Sequence, residues 1–168
     1  MAITSFLALV AGRITEVLTA TAGGQNNAGK IPVLSASGQL TQDMMPAGVG
    51  PDSDNLTAAE NLAANAWVNV NRQTGAVRNA VASAIGTQAD GYVLAAVPSG
   101  QPAQVFFDDN NSGFSNLALG DYWLSATTPG QGTTTPPTGA GVISQRLGVA
   151  VSATTIHAKI QEPIILAQ

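Results

Sequence analysis

The nearest approach to a chemical motif lies early in the chain, where Gly24, Gly29 and Lys30 have the spacing of a phosphate-binding loop. Such a loop needs a serine or threonine after the lysine to hold magnesium, and a helix must begin there. This chain has Ile31 followed by Pro32 instead, and proline biases the preceding residue toward an extended conformation. The stretch therefore predicts a loop and not a nucleotide site.

Histidine chemistry depends on one side chain, because His157 is the only histidine and the chain has no cysteine. A transition-metal site needs several such ligands. A serine hydrolase needs a base beside its nucleophile, and no G-x-S-x-G turn is present. We expect His157 to be a surface or inter-subunit residue, and we expect no enzymatic activity, no cofactor and no metal site. A small hydrolase that uses His157 is a rival hypothesis.

Two acidic pairs, Asp52/Asp54 and Asp108/Asp109, offer carboxylate oxygens that calcium could bind. Neither pair is followed by the glutamate of a calcium-binding loop, and clusters of Asp and Asn are typical of turns. We therefore expect a turn at residues 108–113.

The aromatic side chains would suit a cofactor or a sugar only if they were exposed together. At strand spacing they are more typical of core and rim positions, although carbohydrate binding stays open. They are Trp67, Tyr92, Phe106, Phe107, Phe114, Tyr122 and Trp123.

Charge is scarce along the whole chain. Charged residues make up 10% of the 168 residues, against about 25% in an average soluble domain. The six basic residues are scattered and the net charge is −4, whereas nucleic-acid binding needs clustered lysine and arginine. We expect no nucleic-acid partner and broad, neutral contacts with other protein surfaces.

The first twelve residues form an apolar run that superficially looks like a signal peptide. Its first cation, Arg13, comes after the run and not before it. The run is also shorter than the ~20 residues of a membrane helix. We expect no membrane partner, and we interpret the run as a strand or arm that packs on protein.

The rest of the pattern predicts an all-β protein. An extended N-terminal arm with short strands (1–50) and a Pro- and Gly-rich linker (51–54) precede a β-barrel-like or β-sandwich-like head domain (55–168). Residues 57–66 could form a short helix or a turn, and the prolines of 127–139 predict a loop. Strands are predicted at 67–70, 76–77, 91–97, 104–107, 121–124, 142–143, 147–151 and 154–160.

The arm is too poor in large apolar side chains to order itself. Burying all of those before Pro46 would offset only part of the conformational entropy lost by about 45 ordered residues. It would therefore be completed by copies of itself, by the other domain or by another protein surface.

Several short motifs follow one another in an order that resembles a known family. Residues 29–46 fit G-K-I-x-x-L-x-x-x-G-x-L-x-x-x-x-x-P. Asn65 stands where the next motif usually has glycine, which needs a left-handed or relaxed turn that asparagine tolerates. Further matching segments are 62–70, 89–100, 119–125, 128–130 and 145–152. In this order they resemble bacteriophage capsid decoration (cement) and head-fibre proteins, with related segments in phage tail fibres.

The resemblance implies a structural virion protein that is made in the host cytoplasm. It would bind the major capsid protein on the capsid exterior and stabilise the shell against internal DNA pressure. It implies a homo-oligomer, with a trimer favoured over a dimer, and it supplies no catalytic residue. The alternative is a tail-fibre or receptor-binding module that recognises a host-surface glycan.

The candidate contacts with the capsid or with other copies are the apolar residues of the arm. The same residues could instead be ordinary core. They are Ile3, Phe6, Leu7, Leu9, Val10, Ile31, Val33 and Leu34.

Overall fold

The chain divides into two units, Met1–Gly50 and Pro51–Gln168. We call them the N-terminal unit and the C-terminal unit, and each is described by itself. The computed structural model describes residues 5–10, 12–18, 31, 32, 34, 38–40, 44, 45 and 50–167.

The N-terminal unit contains a β-hairpin. Strands β1 (Ser5–Val10) and β2 (Arg13–Leu18) pair antiparallel along their whole length. Gly12 lies between them with φ of 78°, a conformation that glycine adopts without a steric penalty. Residues 5–10 of the apolar run that resembles a signal peptide therefore form one strand of this hairpin.

The C-terminal unit is built from short strands joined by turns. They are β3 (Ser53–Thr57), β4 (Trp67–Val70), β5 (Val77–Asn79), β6 (Gly91–Tyr92), β7 (Pro102–Phe106), β8 (Asp109–Ser112), β9 (Gly120–Leu124), β10 (Gly132–Thr133), β11 (Ile143–Ser144), β12 (Arg146–Ser152), β13 (Thr155–Ala158) and β14 (Ile164–Ile165).

These strands form two five-stranded antiparallel sheets that pack together. One sheet has the order β10-β9-β12-β13-β8 and the other has the order β3-β7-β6-β4-β5, while β11 and β14 make a small separate pair. The all-β, sandwich-like prediction is confirmed. Residues 51–167 contain no helix.

The segment that could have been a helix or a turn, 57–66, contains no helix, and a turn at 64–65 ends it. Ala58 makes a parallel bridge to Val77, and Leu62 makes an antiparallel bridge to Val97. We call residues 58–66 the cover, because they lie on one sheet. Pairing with that sheet stabilises their backbone more than an isolated turn of helix would.

Strand β4 is buried on both of its faces, and this organises two cores. Trp67 belongs to the core between the two sheets, together with Tyr92, Leu124 and Leu147. Val68, the next residue, belongs to a second core beneath the cover at 58–66. Successive residues of a strand point to opposite faces, so the continuous apolar run of β4 reflects burial on both sides.

The predicted turn at 108–113 is wrong, because most of it forms β8. This strand pairs with β13 in the register Asn110↔His157, and Asn111 is completely buried. Asp109 opens the strand with φ of 81°, a left-handed conformation that Asp tolerates. Pairing with β13 overrides the local preference of Asp and Asn for turns.

Three other predictions differ from the structure. The strand expected at 91–97 ends at Tyr92, and the chain then leaves the sheet to bridge Leu62 through Val97. The loop at 127–139 contains the short edge strand β10, which pairs with β9. The linker expected at 51–54 gives its last two residues, Ser53 and Asp54, to β3.

One conformational prediction is confirmed at Asn65, where the related pattern has glycine. Its φ is 62°, in the left-handed region that asparagine enters more readily than most residues. The turn directs the chain from the cover segment into β4, which begins two residues later.

Candidate protein-interaction surface

The hairpin of the N-terminal unit exposes large apolar side chains. Leu7 on β1 is 73% exposed and Ile14 on β2 is 75% exposed. The register pairs Leu7 with Glu16 and Leu9 with Ile14. A two-stranded ribbon is at best marginally stable alone in water, so exposed leucine and isoleucine make its surface a candidate for contacts beyond the hairpin.

A second group of exposed apolar residues follows later in the same unit. Ile31 is 50% exposed and Leu34 is 56% exposed, while Leu40 and Met45 are exposed to a smaller extent. Isolated exposed apolar residues are ordinary on protein surfaces. Among the few described residues of the N-terminal unit, six large apolar ones are exposed, counting Leu7 and Ile14, which is more than scattered exposure predicts.

The predicted contact residues fall into three groups. Leu7, Ile31 and Leu34 are exposed, as a contact role requires. Phe6, Leu9 and Val10 lie in β1, and their side chains are outside the part of the chain that is described. Ile3 and Val33 lie outside the described residues.

Sequence reasoning missed Ile14, Leu40 and Met45 as candidates. The sequence offers no clear signal for Ile14, because the residues of β2, Arg13–Leu18, do not alternate strictly between polar and apolar, and the pairing of Ile14 with Leu9 depends on the hairpin.

The C-terminal unit also exposes large apolar residues, which include Ile85 and Leu94 and two further groups. Leu119 is 73% exposed and Val151 is 59% exposed, next to the pairing of β9 with β12. Ile164 and Ile165 form β14 and are both more than half exposed. The sequence analysis proposes none of Leu119, Val151, Ile164 and Ile165 as a contact residue, although the apolar run after Pro163 is a visible signal.

His157 lies on the exposed side of β13, opposite Asn110 of β8. Its Nδ1 is 3.2 Å from the Asn110 side-chain oxygen. Within the described residues, no group of three or more histidine, cysteine, aspartate or glutamate side chains could hold a metal ion. His157 is thus placed as a surface residue in a polar pair.

Tyr92 brings together the aromatic core and the acidic pair at 108–109. Its ring is 1% exposed and lies edge-on to Trp67 and stacked on Phe106, each at a centroid distance of 5.6 Å. Its hydroxyl donates to the Asp108 carbonyl oxygen at 2.9 Å. Burial, followed by the charges of Asp109 and Asp108, raises the pKa of Tyr92 to about 12. Trp67 and Tyr92 are core residues, as predicted.

Among the described residues, no helix is long and apolar enough to cross a membrane. The chain matches no protein-family model, no curated protein and no solved structure.

Proposed function

We propose that this chain is a structural virion protein that binds the outer surface of a bacteriophage capsid and stabilises or decorates it. The N-terminal unit makes the contacts, with the major capsid protein and with other copies of the chain. A trimer is favoured over a dimer. The observation that carries the proposal is the exposure of Leu7 and Ile14 on the hairpin.

The driving force for such a contact is apolar burial. Full burial of a leucine or isoleucine contributes about 1.5–3 kcal/mol. At the exposures of Leu7, Ile14, Ile31 and Leu34, covering all four would contribute about 4–8 kcal/mol for each chain. Linking several chains in one oligomer would multiply the attachment points and raise the avidity for a repetitive shell.

Charge supports a protein surface over other partners. The strands of the hairpin carry one cation and one anion, Arg13 and Glu16, so they offer no net attraction to phosphate polymers. The order of motifs that resembles head-fibre and decoration proteins supports a capsid as the protein surface in question.

The experiment is co-sedimentation of the full-length protein with empty, expanded heads of the phage that encodes it. The test variant is Leu7→Thr/Ile14→Thr, which retains side chains that suit strands and makes both exposed positions polar. The matched control is Leu119→Thr/Val151→Thr, which changes two apolar positions of the C-terminal unit that are 73% and 59% exposed.

We expect the wild type and the control to sediment with the heads, and the test variant to lose at least about tenfold in affinity, equivalent to about 1.4 kcal/mol. Native mass measurements on the same samples report the oligomer. If the test variant binds like the wild type while the control does not, the C-terminal unit makes the contact and the proposal is wrong.

A further inference from the structure

A polar cleft lies in the C-terminal unit, and Ile85, which is 59% exposed, is among its lining residues. It consists of two adjoining cavities of about 210 and 650 Å³, which share Arg72, Gln88, Glu162 and Pro163 as lining residues. The combined size falls in the range of small-molecule sites, about 300–1,000 Å³.

One side of the cleft is fixed by a buried amide. Asn69 is 1% exposed, and its Nδ2 donates to the Gln88 carbonyl oxygen at 2.8 Å and to Asp90 Oδ2 at 3.0 Å. Its Oδ1 accepts a hydrogen bond from Arg78 Nε at 3.0 Å. The backbone N–H of Val70 also donates to Asp90 Oδ2, at 2.8 Å. These contacts hold the Asp90 carboxylate in one orientation.

A second buried amide fixes the other side. Gln145 is 2% exposed, and its Nε2 donates to the carbonyl oxygens of Ala89 and Gln161 at 2.8 and 2.9 Å. Its Oε1 accepts a hydrogen bond from the Ala89 N–H at 2.8 Å. Residues 88–90 are therefore held by hydrogen bonds to the side-chain amides of Asn69 and Gln145. The polar groups that line the cleft are thus fixed in position before a ligand binds.

Asp90 and Arg72 both line the smaller cavity, and their charged groups are not in direct hydrogen-bond contact. Asp90 Oδ1 is 3.8 Å from Arg72 Nη2, beyond hydrogen-bond range, and the Arg72 side chain is 81% exposed. A carboxylate only accepts hydrogen bonds and a guanidinium only donates them. A hydroxyl does both, so one hydroxyl group could bridge this pair with charge-assisted hydrogen bonds on each side.

The charges of the lining select the class of ligand. Arg72 and Arg78 are balanced by Asp90 and Glu162, so an anion gains no net attraction and meets two carboxylates. Phe107, half-buried in the wall of the smaller cavity, offers an apolar surface to C–H groups. We propose that this cleft binds a neutral saccharide, with Asp90 and Arg72 sharing one of its hydroxyl groups.

This site is independent of capsid attachment, because it uses none of the residues of the N-terminal unit. The test is saturation-transfer NMR and titration calorimetry on the full-length protein. The probes are neutral trisaccharides of glucose, galactose, mannose, rhamnose and N-acetylglucosamine, with sialyllactose and a sulfated trisaccharide as anionic comparators.

The variants are Arg72→Ala and Asp90→Asn, and the control is Arg146→Ala, whose side chain pairs with Asp121 outside the cleft. We expect at least one neutral trisaccharide to bind, Arg72→Ala and Asp90→Asn each to weaken it at least about tenfold, and Arg146→Ala to leave it unchanged.

Arg72→Ala is the decisive variant, since a side chain this exposed contributes little to folding. The proposal is overturned if no neutral trisaccharide binds, if only the anionic ones bind, or if Arg72→Ala binds as tightly as the wild type. Each of these results leaves capsid attachment standing, while a protein that binds sugar but not phage heads would contradict the proposed function alone.

Discussion

Replacing Gln145 with methionine tests whether a buried amide holds the C-terminal unit together. Gln145→Met keeps the length and approximate volume of the side chain but removes all three of its hydrogen bonds. The Ala89 N–H and the carbonyl oxygens of Ala89 and Gln161 would then lose their partner. Each buried group left without a hydrogen bond costs about 1–3 kcal/mol. We expect the free energy of unfolding to fall by about 3 kcal/mol or more.

The assay is urea unfolding followed by tryptophan fluorescence. Both tryptophans, Trp67 and Trp123, belong to the C-terminal unit, and Trp67 is completely buried, so the signal reports unfolding of this unit. The control is Gln104→Met, because Gln104 is exposed and its side chain makes one long hydrogen bond, 3.3 Å to the Ser53 hydroxyl. We expect the control to change stability by less than about 0.5 kcal/mol. If Gln145→Met lowers the free energy of unfolding by less than about 1 kcal/mol, and the slope of that free energy against urea concentration is unchanged, the buried amide does not stabilise this unit as expected.

Three further predictions concern the backbone and one tyrosine. Gly148→Ala would place a Cβ against the carbonyl oxygen of His157 on the paired strand, so we expect a large drop in melting temperature or no soluble protein. Asn65 has a left-handed backbone, so Asn65→Gly should change the free energy of unfolding by less than about 1 kcal/mol, whereas Asn65→Val should lower it by about 1–2 kcal/mol or more. Tyr92 has its pKa raised from 10.0 to about 12, so the folded state favours the protonated phenol. Its contribution to stability is then complete below pH 10 and is lost as the pH rises toward 12. A phenolate absorbance titration should show one group ionising near pH 12 that Tyr92→Phe removes.

The parts of the fold that follow from local pattern could be predicted from the sequence. Strands β4, β9 and β12 were expected within a residue or two of where they lie, because apolar runs bounded by turn residues are local signals. The burial of Trp67 and Tyr92 followed from the same spacing.

The parts that depend on distant pairing could not be predicted. Strand β8 consists of Asp, Asn, Asn and Ser, whose local preference is for turns, and it is a strand only because β13 pairs with it. The cleft also depends on contacts between residues that are distant in the sequence. Gln145 contacts Ala89, 56 residues away, and nothing in the local sequence around either residue indicates the contact. Asn69 is a comparable case, since a polar residue within β4 gives no sign that it is buried and hydrogen-bonded to Arg78 of β5 and to Gln88 and Asp90 of the loop before β6.

In the proposed function, neighbouring molecules on a capsid complete the N-terminal unit. The most direct measurement is the number of copies of the unmodified protein that remain on empty, expanded phage heads after sedimentation, at increasing protein concentration. We expect the number of bound copies to saturate at a fixed ratio to the major capsid protein. We also expect the protein to bind as an oligomer of the 16.9 kDa chain. A stable monomer that stays in the supernatant at every concentration would contradict it.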